Sequence, residues 1–172
     1  LAMELMERVA SEMSDVAESA ILSLYGAGLS QSDHDARMNA LLWAGTLTQA
    51  DRQIAYVSPE ARTGFTARLA LLRGVQPASL GLPVAGDALR DPGFIYNSVR
   101  QSRRTGNLPA AIQLLATRPQ AATPPLDATK WVGELLAAAR GADSTSAVRI
   151  ALSAEDSFPQ GADVSNMAFK LR

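Results

Sequence analysis

Glycines that close helix-forming segments recur along this chain. Four of them follow apolar residues at helical spacing: Gly45, Gly74, Gly106 and Gly141. Glycine is favoured just beyond the last turn of a helix because it adopts the left-handed backbone conformation at little cost. New segments open with a capping residue and a proline, as at Ser58-Pro59 and Asp91-Pro92, a pattern typical of helix starts. The chain is therefore expected to form short helices joined by tight turns.

The amino-acid usage favours the same conclusion. The sequence holds 31 alanines and 22 leucines against 9 valines and 5 isoleucines. Alanine and leucine are strong helix formers, whereas the β-branched residues favour strands. We therefore predict an all-α fold with about nine helices. The expected helices cover residues 3–25, 30–45, 46–54, 58–74, 91–104, 108–117, 127–141, 144–154 and 161–171.

Local capping signals refine two of these starts. Ser30 and Ser32 are candidate N-caps for the second helix, with acidic residues in its first turn. Thr46 and Gln49 form a capping-box pattern at the start of the third helix, because a hydroxyl and a Gln side chain at this spacing satisfy each other's backbone donors.

A helix–glycine–turn–helix pattern is repeated around Gly45, Gly106 and Gly141. A small residue opens each returning helix: Ala50, Ala111 and Ala147. Small side chains let antiparallel helices approach closely, as in tetratricopeptide-like hairpins. We expect a right-handed α-superhelix, a solenoid of antiparallel helix hairpins, forming one domain over residues 1–172. Glycines and prolines break the helical period over about 74–90, which predicts an irregular connector with a short helix near its end.

Charge and composition exclude several function classes. The 16 Lys and Arg residues are balanced by 17 Asp and Glu residues, so the chain lacks the basic field that nucleic-acid binding needs. It has no cysteine and a single histidine, which excludes disulfides, thiolate sites and polyhistidine metal sites. No apolar run approaches the roughly 20 residues needed to span a bilayer. We expect no nucleic-acid partner, no cofactor, no metal and no transmembrane segment.

Two groups of side chains are candidates for acid–base chemistry. His34 lies between Asp33 and Asp35, but adjacent helical residues point in different directions, so a capping turn is the favoured interpretation. Glu155 and Asp156 are also adjacent, whereas paired carboxylates that cleave glycosidic bonds face each other across a cleft. We predict a solvated turn for this pair and no catalytic residue in the chain.

Arginine and tryptophan side chains are the remaining candidates for binding. Arg100, Arg103 and Arg104 form a basic cluster that could contact a ligand or partner, although cations near a helix C-terminus are also favoured by the helix dipole. Trp43 and Trp131 could stack on a ligand, yet both lie on apolar stripes, which favours core packing. No glycine-rich phosphate loop, nucleophile elbow or zinc motif is present.

One segment is more specific than the rest. Residues 33–45 read D-H-x-x-R-x-x-x-L-L-W-x-G, which resembles a helix in the α-superhelical region of soluble lytic murein transglycosylases. Asp91-Pro92-Gly93 followed by Tyr96 is similar to that family's D-D-P-G-L-x-Y segment. Residues 131–137 and 147–151 resemble a later helix pair of the same family, so the resemblance covers roughly residues 14–155.

The resemblance implies the non-catalytic superhelical part of a periplasmic enzyme. Such enzymes cleave the MurNAc–GlcNAc bond of peptidoglycan without water, using a glutamate in a separate lysozyme-like domain. That domain's E-S and G-L-M-Q-L-M-P motifs do not occur in these 172 residues, so this chain alone is expected to be inactive and to be a piece of a longer protein. Its role would be to position glycan strands or to dock a partner. Two alternatives stay open: a stand-alone tetratricopeptide-like adaptor for a peptide or protein, and a helical enzyme that uses His34.

Overall fold

The computed structural model describes residues 20, 28–82, 84 and 86–155. Within these residues the fold is all-helical, with seven α-helices and no strand. The helices are α1 (Gln31–Ala44), α2 (Leu47–Gln53), α3 (Pro59–Leu72), α4 (Pro92–Arg104), α5 (Leu108–Thr117), α6 (Ala128–Arg140) and α7 (Ser144–Glu155). They confirm the all-α prediction. Of the two other expected helices, 161–171 lies outside the described residues, and only residue 20 of 3–25 lies within them.

Two 3-10 helices, Pro77–Leu80 and Gly86–Arg90, occupy the expected connector. The second of them agrees with the short helix predicted near the end of that segment. The loop that follows α5 contacts the end of this connector: the Ala122 N–H donates to the Arg90 carbonyl at 2.8 Å. None of the helices in the described part of the chain is both long and apolar enough to cross a membrane.

Side-chain caps begin most of the helices. Six capping side chains accept a hydrogen bond from a backbone N–H of the first turn: Ser30, Ser58, Asp91, Asn107, Asp127 and Asp143. Ser30 also belongs to a capping box, in which the Asp33 carboxylate accepts from the Ser30 N–H at 2.8 Å. The caps predicted at residues 30, 58 and 91 are thus confirmed. They satisfy N–H groups that the helix itself leaves unpaired.

The capping box predicted at Thr46 is wrong. Thr46 makes no side-chain cap for α2, and its hydroxyl donates instead to the Leu41 carbonyl at 3.3 Å. Only two residues, Gly45 and Thr46, separate α1 from α2, so Thr46 lies within reach of the last carbonyls of α1. Its hydroxyl therefore pairs with the end of α1.

Glycines end several helices as the sequence predicts. Gly45, Gly74 and Gly106 have φ angles of 79°, 80° and 78°. After α4, the Asn107 N–H donates to the Ser102 carbonyl at 2.8 Å and the Gly106 N–H donates to the Arg103 carbonyl at 3.1 Å. This double closure is the Schellman motif, which satisfies the last carbonyls of a helix and requires a left-handed residue.

The chain divides into two compact units, Leu1–Val75 and Gln76–Arg172. The boundary falls inside the connector expected over 74–90. In the first unit, α1, α2 and α3 all contact one another. Their buried apolar residues form one cluster: Met38, Leu41, Leu42, Ala50, Val57 and Leu69. Burial of such side chains is the main driving force for folding.

In the second unit each helix packs against both its next neighbour and the one after. α4 contacts α5 and α6, α5 also contacts α6 and α7, and α6 contacts α7. Small residues are fully buried in the second and third of these helices, at Ala111 and Ala138. A Cβ added at Gly141 would lie 2.6 Å from the Leu108 Cδ2 atom, so the turn after α6 packs closely on the start of α5.

We expect Gly106→Ala to lower the free energy of unfolding by about 1 kcal/mol, because alanine is strained at a positive φ. Gly133→Ala is the matched control: Gly133 is exposed inside α6, and a Cβ there meets no atom within 4 Å. That variant should gain about 0.5–1 kcal/mol from helix propensity. Denaturant unfolding of both variants measures the difference, and equal effects of the same sign would contradict the assigned conformation.

Candidate functional site

The three arginines predicted as ligand or partner contacts lie in the last turns of α4, where each has a different environment. Arg100 donates from Nη1 to the Tyr96 hydroxyl at 2.7 Å. Arg103 forms an ion pair with Glu134 of α6. Arg104 is exposed and makes no hydrogen bond or ion pair with the residues that the structure describes. A role for the cluster in binding stays a prediction.

Both tryptophans lie in the core, as predicted. Trp43 is 3% exposed and Trp131 is 1% exposed, so neither ring can stack on a ligand. The Arg118 guanidinium carbon lies 5.2 Å from the centroid of the Trp131 ring, an attractive cation–π geometry within the protein.

The solvated turn predicted for Glu155 and Asp156 stays a prediction. Glu155 is the last residue of α7, and Asp156 lies outside the described residues. Among the residues that the structure describes, no group of three or more histidine, aspartate or glutamate side chains could hold a metal ion.

His34 is a buried residue of a polar network that joins α1 to α2. Its ring is held by Gln53, which is 2% exposed. The Gln53 Nε2 atom lies 3.1 Å from both the His34 carbonyl oxygen and the His34 Nδ1 atom. The Arg37 Nε–H donates to the Gln53 Oε1 atom at 3.0 Å. The predicted capping turn thus accounts for Asp33 but not for His34, because its ring makes a contact across two helices.

The direction of these hydrogen bonds assigns the His34 tautomer. Arginine is always a donor, so Arg37 fixes Oε1 as the acceptor end of the Gln53 amide and Nε2 as the donor end. The His34 Nδ1 atom must then accept, which leaves the ring hydrogen on Nε2. A histidine in this arrangement stabilises the helix pair.

Both neighbouring aspartates are also held by hydrogen bonds. Asp35 accepts from the Ser58 N–H at 2.8 Å and from the Ser58 hydroxyl at 2.6 Å, which joins α1 to the start of α3. The Ser30 hydroxyl and N–H donate to Asp33 and lower the pKa of that carboxyl below its ordinary value of 3.8. Hydrogen bonds to a carboxylate favour its charged form.

A second long-range pair joins α1 to α3. Arg68 is 2% exposed and donates from Nη1 to the Asn39 Oδ1 atom at 2.7 Å. A buried guanidinium requires such partners because an unpaired charge is costly in the interior. Every described helix of the first unit is therefore linked to another by a polar side chain.

The turn between α2 and α3 presents one aromatic side chain to solvent. Tyr56 is 52% exposed, and its ring stacks on that of His34 with centroids 5.4 Å apart and an interplanar angle of 21°. Arg62 donates from Nη2 to the carbonyls on either side, those of Ala55 at 3.4 Å and Val57 at 3.1 Å. Sequence reasoning missed Gln53, Tyr56 and Arg62. The turn that holds Tyr56, residues 54–58, is mostly apolar, so no local pattern marked the tyrosine as exposed.

The chain matches no protein-family model, no curated protein and no solved structure.

Replacing the Gln53 amide by a hydrocarbon side chain should lower the stability of the first unit. We expect Gln53→Leu to lower the free energy of unfolding by about 3 kcal/mol, because it leaves the partners in α1 without their hydrogen bonds. Gln113→Leu, at an exposed position of α5, is the control and should change it by less than about 0.5 kcal/mol. Denaturant unfolding tests this, and similar values for the two variants would refute a central role for Gln53.

The lowered pKa of Asp33 predicts a pH-dependent contribution to stability. The fold favours the charged carboxylate. The stability that this carboxylate contributes is therefore fully present above pH 3.8 and is lost as the pH falls through its lowered pKa in the folded protein. The difference in melting temperature between the wild type and Asp33→Asn should therefore be largest near neutral pH and smaller at about pH 3. A difference that grows on acidification would contradict this assignment.

Proposed function

We propose that this chain is the non-catalytic helical part of a periplasmic lytic transglycosylase-like protein. Its helices hold a peptidoglycan glycan strand, or dock a partner, while a catalytic domain outside these 172 residues cleaves the MurNAc–GlcNAc bond. The proposal includes the superhelical arrangement of about nine helices predicted from the sequence. It assigns no catalytic residue to this chain.

The observation that carries the proposal is where the side chains of residues 33–45 lie in the structure. This is the segment that resembles the family. His34 and Arg37 hold Gln53, and Trp43 is buried. His34 and Trp43 of this segment thus pack inside the protein, and Arg37 is half-buried against α2. A motif used in this way specifies a helical scaffold, which agrees with a region that supports catalysis elsewhere in the protein.

The packing of the second unit is a further support. α4 contacts α6 and α5 contacts α7, in addition to the contacts between consecutive helices. Contacts between each helix and the next but one are expected where hairpins stack in a tetratricopeptide-like array. Arrays of this type offer an extended concave surface, which suits a polymer such as a glycan strand.

A stand-alone tetratricopeptide-like adaptor is the second candidate. The observation that favours it is an apolar pair on the exposed side of α7, where Val148 is 57% and Leu152 is 64% exposed. Residues four apart lie on the same side of a helix, and exposed apolar surface is typical of protein contacts. Arg104 at the end of α4 would add an exposed cation for an acidic peptide.

Incubation with purified peptidoglycan, followed by sedimentation, separates the two candidates. We expect the chain to sediment with the polymer, because glycan contact is its proposed role, and to release no soluble 1,6-anhydro-muramyl products. An unrelated helical protein of similar net charge is the control. Absence of sedimentation would contradict the glycan-binding role and favour the adaptor, whereas product release would contradict the assignment of a non-catalytic chain.

A further inference from the structure

Tyr56 is the only exposed aromatic residue in the part of the chain that the structure describes. The other five described aromatic side chains are buried or half-buried: Trp43, Phe65, Phe94, Tyr96 and Trp131. Stacking on His34 covers one face of the Tyr56 ring, and 52% of the residue stays accessible to solvent. The ring therefore offers a flat apolar face to a molecule in solution.

The backbone around this ring is held at several points. The Tyr56 N–H donates to the Gln53 carbonyl at 3.0 Å, and Ser58 is bonded to Asp35 through both its N–H and its hydroxyl. His34, on which the ring stacks, is itself fixed by the Gln53 amide. A side chain held in this way loses little conformational freedom when a ligand binds, which favours affinity.

A cation lies beside the backbone on either side of Tyr56. Arg62 is exposed, and its Nη2 atom bonds to the carbonyls immediately before and after Tyr56. Its Nε–H and Nη1–H groups donate to no other described residue, so they can donate to a ligand. Guanidinium groups bind carboxylates and hydroxyls through several donors in one plane.

We propose that Tyr56 and Arg62 form a contact site for a sugar ring with a carboxylate-bearing substituent. One face of a pyranose presents C–H groups that pack on an aromatic ring, while its hydroxyl and carboxylate oxygens accept from a neighbouring guanidinium. Tyrosine and arginine are also, with tryptophan, the residue types enriched among those that dominate binding energy at protein interfaces. This assignment rests on the proposed glycan-binding function and identifies where on the first unit the glycan is held.

Two polymers distinguish the roles of the ring and the cation. Sedimentation is measured with purified peptidoglycan, which carries carboxylates, and with chitin, a neutral polymer of N-acetylglucosamine. We expect Tyr56→Ala to weaken binding to both by about tenfold, since loss of a central aromatic contact commonly costs more than 1 kcal/mol. Arg62→Gln should weaken binding to peptidoglycan more than binding to chitin.

Matched controls lie on the second unit. Leu126→Ala removes an apolar side chain of equal exposure, 52%, and Arg149→Gln removes an exposed cation of α7; both should bind as the wild type does. Tyr56→Leu keeps an apolar side chain against His34 but lacks the flat ring, so it should bind weakly even though it folds. Thermal melts verify folding of each variant.

The outcomes separate this site from the function on which it rests. If the wild type binds peptidoglycan and the Tyr56 variants bind equally well, the site is wrong and the glycan-binding function stands. If the wild type binds neither polymer, both the site and the glycan-binding function are wrong. Selective loss in the Tyr56 and Arg62 variants, with the two control variants unchanged, supports the site.

Discussion

A single buried amide joins α1 to α2 in the first unit. Gln53 has four hydrogen-bonding positions and almost no contact with water, so each unmade bond would destabilise the fold. Its two ends cannot be exchanged, because one faces an obligate donor, Arg37, and the other faces the backbone carbonyl of His34. The geometry of α1 against α2, the orientation of the imidazole and the position of Tyr56 all depend on that amide.

Apolar burial and polar pairing have different roles in this unit. The cluster around Met38 and Leu42 supplies most of the driving force, because burial is non-directional and proportional to area. It does not by itself select one register of the helices. The pairs Gln53–His34, Ser58–Asp35 and Arg68–Asn39 have fixed donors and acceptors, and they select the register that the apolar core alone would leave open.

The sequence predicts local structure well here and long-range pairing poorly. Helix starts at Ser58 and Asp91 and helix ends at Gly45 and Gly106 depend on residues within one turn of each other, so they are visible in the sequence. The pairs of Gln53 with His34 and of Arg68 with Asn39 join residues 19 and 29 positions apart. No local pattern indicates them, because they arise only after the helices pack. The Thr46 hydroxyl is a local example. It could cap the start of α2 or pair with the end of α1, and the sequence pattern does not show which of the two forms.

The division at Val75 and Gln76 has a consequence for how folding can be followed. The chain contains two tryptophans, and one, Trp43, belongs to the first unit while the other, Trp131, belongs to the second. Both indoles are buried, so the fluorescence of each changes when its own unit opens. Replacing either one by phenylalanine leaves a reporter for the other unit alone, so the opening of each unit can be followed by itself in one intact chain.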